Sequence, residues 1–503
     1  MRKLFPFLIL LCWFGPMFSQ ALLNNNGANI YVKDGAFMIV KTYVPQPASL
    51  SNNLNSGLCK IDNQGTIVVE GDIKNNALIN GSGDTIRLKG DWINNNAYTT
   101  NNSWVDMYGA SQLITGTAIT TFDNLNLGGG AVVKRQTINS ITSNLLQLND
   151  AELATDTNEM WVSTPNTAAI TWNNGFVSSL DSGKLSRSTN STNPYVFPLG
   201  SPSYDNPPSI FRPIQMSPAG NGADIFSACV VKGDATNFGD NINSLDSLLC
   251  KVNPNFFHRL YHGTGTDATD LTMYFDPSTD GTWTDEAHWK NGVWNYIAPS
   301  VAGTGLGFST VTVPGVSDFS PKPFALAIKK FQLIAGPGDS INPGQSVVLN
   351  PTIGAPAGST IMWTPDTALS CNTCANPTAT PIVTTEYTIT VIDPLGCTVS
   401  DSLRIAVSLG GFAMPDAFTP NGDGKNDLFG PVTLRFFTIK GFRIYNRWGQ
   451  LVHNSIEPWD GKFNGKEQPA GTYLYYIQVQ FPDPTNPDVE SSKSQEGTVT
   501  LLR

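Results

Sequence analysis

The most constraining feature of this sequence is a short internal repeat. Gly65–Asn76 reads GTIVVEGDIKNN, and 19 residues later Asp84–Asn95 reads DTIRLKGDWINN. The pattern apolar-x-apolar-x-Gly continues at Val105, Met107 and Gly109, and again at Leu125, Leu127 and Gly129. Leu146 and Leu148 begin a further step. Two apolar residues two apart share one face of a short strand. The glycine and the asparagines after it supply the turn that ends the strand. A unit this short cannot bury its own apolar face, so units must stack on one another. Over residues 22–190 this is the logic of a parallel β-solenoid. Period alone leaves strand direction open, and an antiparallel meander satisfies it too. The asparagine runs, such as Asn24–Asn26 and Asn94–Asn96, read as ladders bonding along the stack and capping its corners.

The first twenty residues are of another kind. Arg2 and Lys3 precede an apolar stretch, Leu4 to Phe18, broken by Pro6 and Pro16 and followed by Ser19, Gln20 and Ala21. This is the pattern of a secretory signal peptide over residues 1–20; the stretch is too short to cross about 30 Å of hydrocarbon. Losing it removes two of the 30 basic and none of the 40 acidic residues, so the net charge moves from −10 to −12. No later apolar run reaches spanning length, so no transmembrane segment is expected in the mature chain. An acidic chain is poorly suited to binding nucleic acid through phosphate neutralisation.

Outside the leader there are six cysteines. In an oxidising compartment Cys229 with Cys250, and Cys397 with Cys371 or Cys374, are disulfide candidates. Cys371 and Cys374 form a CxxC, for which a redox or zinc half-site is the alternative.

Residues 191–328 lose the 19-residue step and become dense in aromatics and prolines, as expected of an aromatic β-sandwich. Within them Gly281–Ile297, GTWTDEAHWKNGVWNYI, offers Trp283, Trp289 and Trp294 as rings that stack on sugars, or else as ordinary β-core residues. Asp285 and Glu286 are adjacent and so point to opposite faces of a strand, which does not suit paired glycosidase carboxylates. His258 and His262 share a face, but Arg259 stands where a metalloprotease helix carries its glutamate. No nucleophile elbow or phosphate loop is present, and no enzymatic activity is expected.

Residues 329–408 read as an Ig-like β-sandwich. Glu386–Asp393 (EYTITVID) and Ser402–Val407 (SLRIAV) alternate with period two around a turn at Gly396, and Trp363 serves as an interior anchor. This stretch resembles the PKD-like domains of Bacteroidetes surface proteins, which implies a spacer without catalytic groups.

Residues 412–503 form a small all-β module. Phe442–Val452 (FRIYNRWGQLV) is strand, turn and strand; Tyr473, Tyr475, Ile477 and Val479 alternate on one face; Gly497–Arg503 (GTVTLLR) is a last strand. Trp448–Gly449 and Trp459–Asp460–Gly461 read as turn and core residues. With Met414–Phe429 (MPDAFTPNGDGKNDLF), these blocks in order resemble the type B C-terminal sorting domain of the Bacteroidetes type IX secretion system, also called the gliding-motility-associated C-terminal domain. The resemblance implies the type IX machinery as partner, passage through the outer membrane, and a final place at the cell surface or in the medium. In the loop, Asn421, Asp423 and Asp427 offer oxygens at positions one, three and seven, as calcium loops do; Lys425 and Val432 depart from that pattern, and a turn bonded to its own backbone is the other reading.

The expectation is therefore an all-β multidomain protein: β-solenoid, aromatic β-sandwich, Ig/PKD-like β-sandwich and sorting domain. It is expected to be secreted and structural or adhesin-like. Its expected partners are the secretion machinery and either an outer-membrane anchor or an extracellular polysaccharide. The alternative is a carbohydrate-binding or carbohydrate-active surface protein using residues 281–297.

Overall fold

A computed structural model describes residues 22–25, 28–41, 49–52, 60–180, 182–320, 322–407, 412–432, 437–483 and 486–503. The leader at 1–20, Asn26 and Cys59 lie outside them. The chain divides into two compact units, Met1–Lys329 and Lys330–Arg503. No helix among the described residues is long and apolar enough to cross a membrane.

In the first unit the repeat becomes a stack of coils with three sheets as its walls. Strands Thr66–Val69, Thr85–Leu88 and Trp104–Met107 pair in parallel, Thr66 opposite Thr85 and Thr85 opposite Trp104. The next strand, Thr120–Leu127, sets Asn124 opposite Trp104. The spatial register thus follows the sequence period, which settles strand direction in favour of the parallel solenoid. The two apolar residues of each coil, Ile67 and Val69, Ile86 and Leu88, Val105 and Met107, Leu125 and Leu127, Leu146 and Leu148, form a continuous interior column. The marker glycines stand where one coil's backbone crosses the next. A β-carbon at Gly109 would lie 1.9 Å from the Lys89 carbonyl oxygen, so no larger residue fits there.

At one corner four buried asparagines make a ladder. The side-chain amide of Asn25 donates to Asn52 (3.0 Å), Asn52 to Asn75 (3.2 Å) and Asn75 to Asn94 (2.9 Å). Two rungs also tie down the coil that follows: Asn52 donates to the Leu78 carbonyl and Asn75 to that of Ala97. Opposite Asn94 the register places Gly116, so the ladder stops there, and the Asn94 amide nitrogen is left without a partner.

The parallel stack ends where the aromatic region begins. Strand Lys184–Thr189 pairs in parallel with Glu159–Val162 on one side and antiparallel with Asp224–Lys232 on the other. The same sheet continues antiparallel through Phe256–Thr264, Pro323–Lys329, Asp285–Lys290 and Val293–Tyr296. A second sheet of five strands, Tyr195–Phe197, Ile214–Pro218, Thr269–Phe275, Phe308–Val316 and Val301–Gly305, belongs to this region. The turn from parallel to antiparallel pairing gives the last coil a covered edge instead of exposed amides.

In the second unit, Thr385–Ile392 and Thr398–Val407 form the expected hairpin, with Gly396 at φ +81°. Asp339–Ile341 and Thr360–Thr364 flank it in one sheet. Trp363, Tyr387, Ile389, Val391 and Ile405 make the core. Cys371 and Cys374 are bonded to each other. This corrects the pairing of either with Cys397, and it commits both sulfurs that a zinc half-site would use.

The ladder generates a direct test. Asn75→Ala strips a partner each from Asn52 and Asn94, buried groups whose orphaning costs about 1–3 kcal/mol each. The expected loss is roughly 2–5 kcal/mol in urea unfolding, whereas Asn96→Ala, at an exposed position, shifts stability by less than about 0.5 kcal/mol.

Candidate functional site: the C-terminal module

The residues first singled out in the aromatic region are interior. Trp283, Trp289 and Trp294 are 6%, 7% and 0% exposed. Trp289 and Trp294 meet edge to face at 5.6 Å within a core that includes Phe257, Leu249 and Ala327. This corrects the reading of the three rings as an exposed sugar platform. Strand Asp285–Lys290 places Ala287 and Trp289 in that core, with Glu286 and His288 alternating with them. Glu286 is fully buried, and neither carboxylate oxygen makes a well-formed hydrogen bond. Burial pushes its pKa well above the usual carboxylate range, which favours the protonated form in the native state. His288 stacks on Phe324 at 4.0 Å. His258 is buried against the Arg212 carbonyl at 2.9 Å, and burial lowers its pKa to about 4. His262 lies 2.7 Å from Asp224. The two histidines are thus held by separate partners.

The C-terminal module is built from Ala417–Phe418, Asn486–Leu501, Gly471–Asp483, Thr438–Tyr445 and Leu451–Asn454, in that order across one sheet. Its inner face carries Phe442, Ile444, Val452, Tyr473, Tyr475, Ile477 and Val479, the set that the period of two selects. Phe418, Phe429 and Trp459 close the core, and the Trp459 indole N–H donates to the Lys462 carbonyl at 2.8 Å.

Two loops shape its surface. In the first, Asp427 accepts from the Gly422 and Gly424 amides at 2.7 and 2.8 Å. Asp423 accepts from the Lys425 amide at 2.7 Å, and Asn421 from the Asp423 amide at 3.1 Å. These amides hold the Asp427 carboxyl below its ordinary range. The three oxygens proposed for calcium are turned onto the loop's own backbone, with Gly422 and Gly424 at φ +78° and +82°. The loop is thus held by its own backbone amides, as in a self-bonded turn.

The second loop joins Thr438–Tyr445 to Leu451–Asn454. Asn446 is buried, and its side-chain oxygen accepts from the Trp448 and Gln450 amides at 3.1 and 3.0 Å. Gly449 takes φ +79° and donates to the Asn446 carbonyl at 2.9 Å. This rigid turn holds Trp448 out into solvent, 70% exposed, with the Arg447 guanidinium 4.2 Å from the ring centre. The assignment of turn and core thus divides: Trp459 is core, while Trp448 belongs to the surface.

Residues 412–501 match the family model described as CHU_C Type IX secretion signal domain. The module carries a type IX secretion signal. That signal implies export by the type IX machinery and a location at the cell surface or outside the cell. No curated protein matches the chain. Among solved structures, dimeric latent PorU from Porphyromonas gingivalis is similar over 62% of this chain and 32% of its own length, with 11% identity and a TM-score of 0.14. The chain therefore spans about a third of that protein.

Two outcomes follow. Glu286 keeps its proton to higher pH when folded than when unfolded, so its burden on stability grows as pH rises above the ordinary carboxylate value of 4.5. Glu286→Gln removes that dependence: its melting temperature should exceed that of the native chain by a margin that widens as pH rises above that value. For the acidic loop, a chelator should leave the melting temperature of the full chain unchanged, whereas Asp427→Ala should lower it by removing the acceptor of two backbone amides.

Proposed function

We propose that this chain is a structural, adhesin-like protein of the cell surface, delivered there by its C-terminal signal module. The type IX signal at residues 412–501 is the observation that carries the reading. In this scheme the apolar leader at 1–20 provides passage to the periplasm, and the folded module then directs the second crossing. The coil stack serves as a stiff spacer whose outer surface is set coil by coil, and the PKD-like region at 329–408 as a further β spacer. The role is non-enzymatic. It is supported by the placing of Glu286, His258 and His288 within a packed interior. The partners proposed for the delivered protein are an outer-membrane anchoring protein or an extracellular polysaccharide. Contacts with a polysaccharide would be made by outward-facing coil residues, since the tryptophans at 283, 289 and 294 are interior.

Deleting residues 412–503 tests this in a host that has type IX secretion. The truncated chain should accumulate in the periplasm while the full chain reaches the surface or medium. Undiminished delivery of the truncated chain would refute the proposal.

A further inference from the structure

A signal is read through its surface, and one face of the module is built unlike the rest. Strict alternation sends Tyr473, Tyr475 and Ile444 inward, and so turns Leu474 and Tyr445 outward. The register sets Tyr445 opposite Leu451 on one neighbouring strand and opposite Leu474 on the other. These three side chains therefore form an apolar row across the outer face, running to the edge strand Leu451–Asn454. Leu474 is 53% and Leu451 37% exposed, and neither belongs to the core. Trp448 lies in the turn that joins Tyr445 to Leu451, one turn's length beyond the row. The next register row is polar and unequal in charge: Arg443 lies opposite Tyr476, and Tyr476 opposite Glu496.

An exposed tryptophan on the rigid turn that joins two strands of an apolar row, bordered by two arginines against one glutamate, is a protein-docking surface in composition. Tryptophan, tyrosine and arginine are the residues on which binding energy concentrates. A pre-ordered turn lowers the entropic cost of using them. Packing gives no reason for them, because the core is complete without them.

We propose that Trp448, Leu451, Tyr445 and Leu474 are the surface by which the signal domain docks onto a protein of the type IX machinery. That protein presents an apolar slot for the indole and an acidic rim for Arg443 and Arg447. The inference rests on the export reading above and adds the residues and the chemistry of the partner.

The test compares full-length chains in a type IX-competent host. The arms are native, Trp448→Ala with Leu474→Ser, Trp448→Phe, Trp448→Gln alone, and the chain lacking 412–503. Each is assayed for external and periplasmic fractions, for protease resistance of the periplasmic protein, and for elution volume. The double variant should remain protease-resistant while its external fraction falls about tenfold, as loss of a hot-spot anchor implies. Trp448→Phe, which keeps an aromatic ring, should retain most of the export. If the double variant loses protease resistance, Trp448→Gln at its 70% exposed position carries the comparison. Normal export of folded Trp448→Gln or of the double variant overturns the proposal. So does a shift from dimer to monomer with export unchanged, which would assign the face to a second copy of the chain. Export of the truncated chain would instead overturn the export reading itself, so the two failures are distinguishable.

Discussion

The structure depends on one constraint: a coil of about 19 residues can cover its apolar pair only with the coils on either side. Every other feature of the solenoid serves that stacking. Strands repeat in register so that Ile67, Ile86 and Val105 fall in line. Glycines stand where neighbouring backbones come too close for a β-carbon. The buried corner asparagines solve a polar problem of the same stacking: Asn25, Asn52 and Asn75 each donate to one backbone carbonyl and one neighbouring asparagine at once. The arrangement is cooperative along its length, because the middle rungs, Asn52 and Asn75, are each both donor and acceptor. It also needs a terminus, and the antiparallel strands from Asp224 onward provide it by occupying the edge of the last coil.

Much of this was legible in the sequence. The spacing of Gly71, Gly90, Gly109 and Gly129 gave the coil length, and the register reproduces it. The alternation at Tyr473–Val479 selected the inner face of the module correctly. What could not be read was which aromatic faces what. Trp294 and Trp448 both sit in or beside short strands flanked by polar residues, yet one is fully buried and the other is largely in water. The difference lies in what packs over each, a matter of sequence-distant elements: Leu249 and Ala327 cover Trp294, and nothing in the core of the module needs Trp448. The cysteines failed for a related reason, since spacing offers several partners and only the folded loop brings Cys371 onto Cys374. Glu286 was read as one of two adjacent carboxylates, whereas its consequence comes from the depth at which the strand is buried.

The two ends of the chain divide the work. The coil stack and the aromatic region spend their chemistry inward: ionisable residues such as Glu286 and His258 sit in the core, and the asparagines bond to one another. The terminal module does the reverse. It completes a small core with about a dozen residues and then places a tryptophan, two leucines and two arginines outside it. An exposed tryptophan and leucines on the part that carries the export signal fit a module read through its surface.

The coil account is tested most directly by removing one coil cleanly. Deleting residues 77–95 excises 19 residues and brings Asn75, in place of Asn94, opposite Gly116. The account expects a chain that still unfolds in a single cooperative transition, with strand content per residue unchanged. Deleting only residues 77–86 breaks the register and should abolish that transition. If both deletions behave alike, whether tolerated or destructive, the coils are not the unit of folding and the account is wrong.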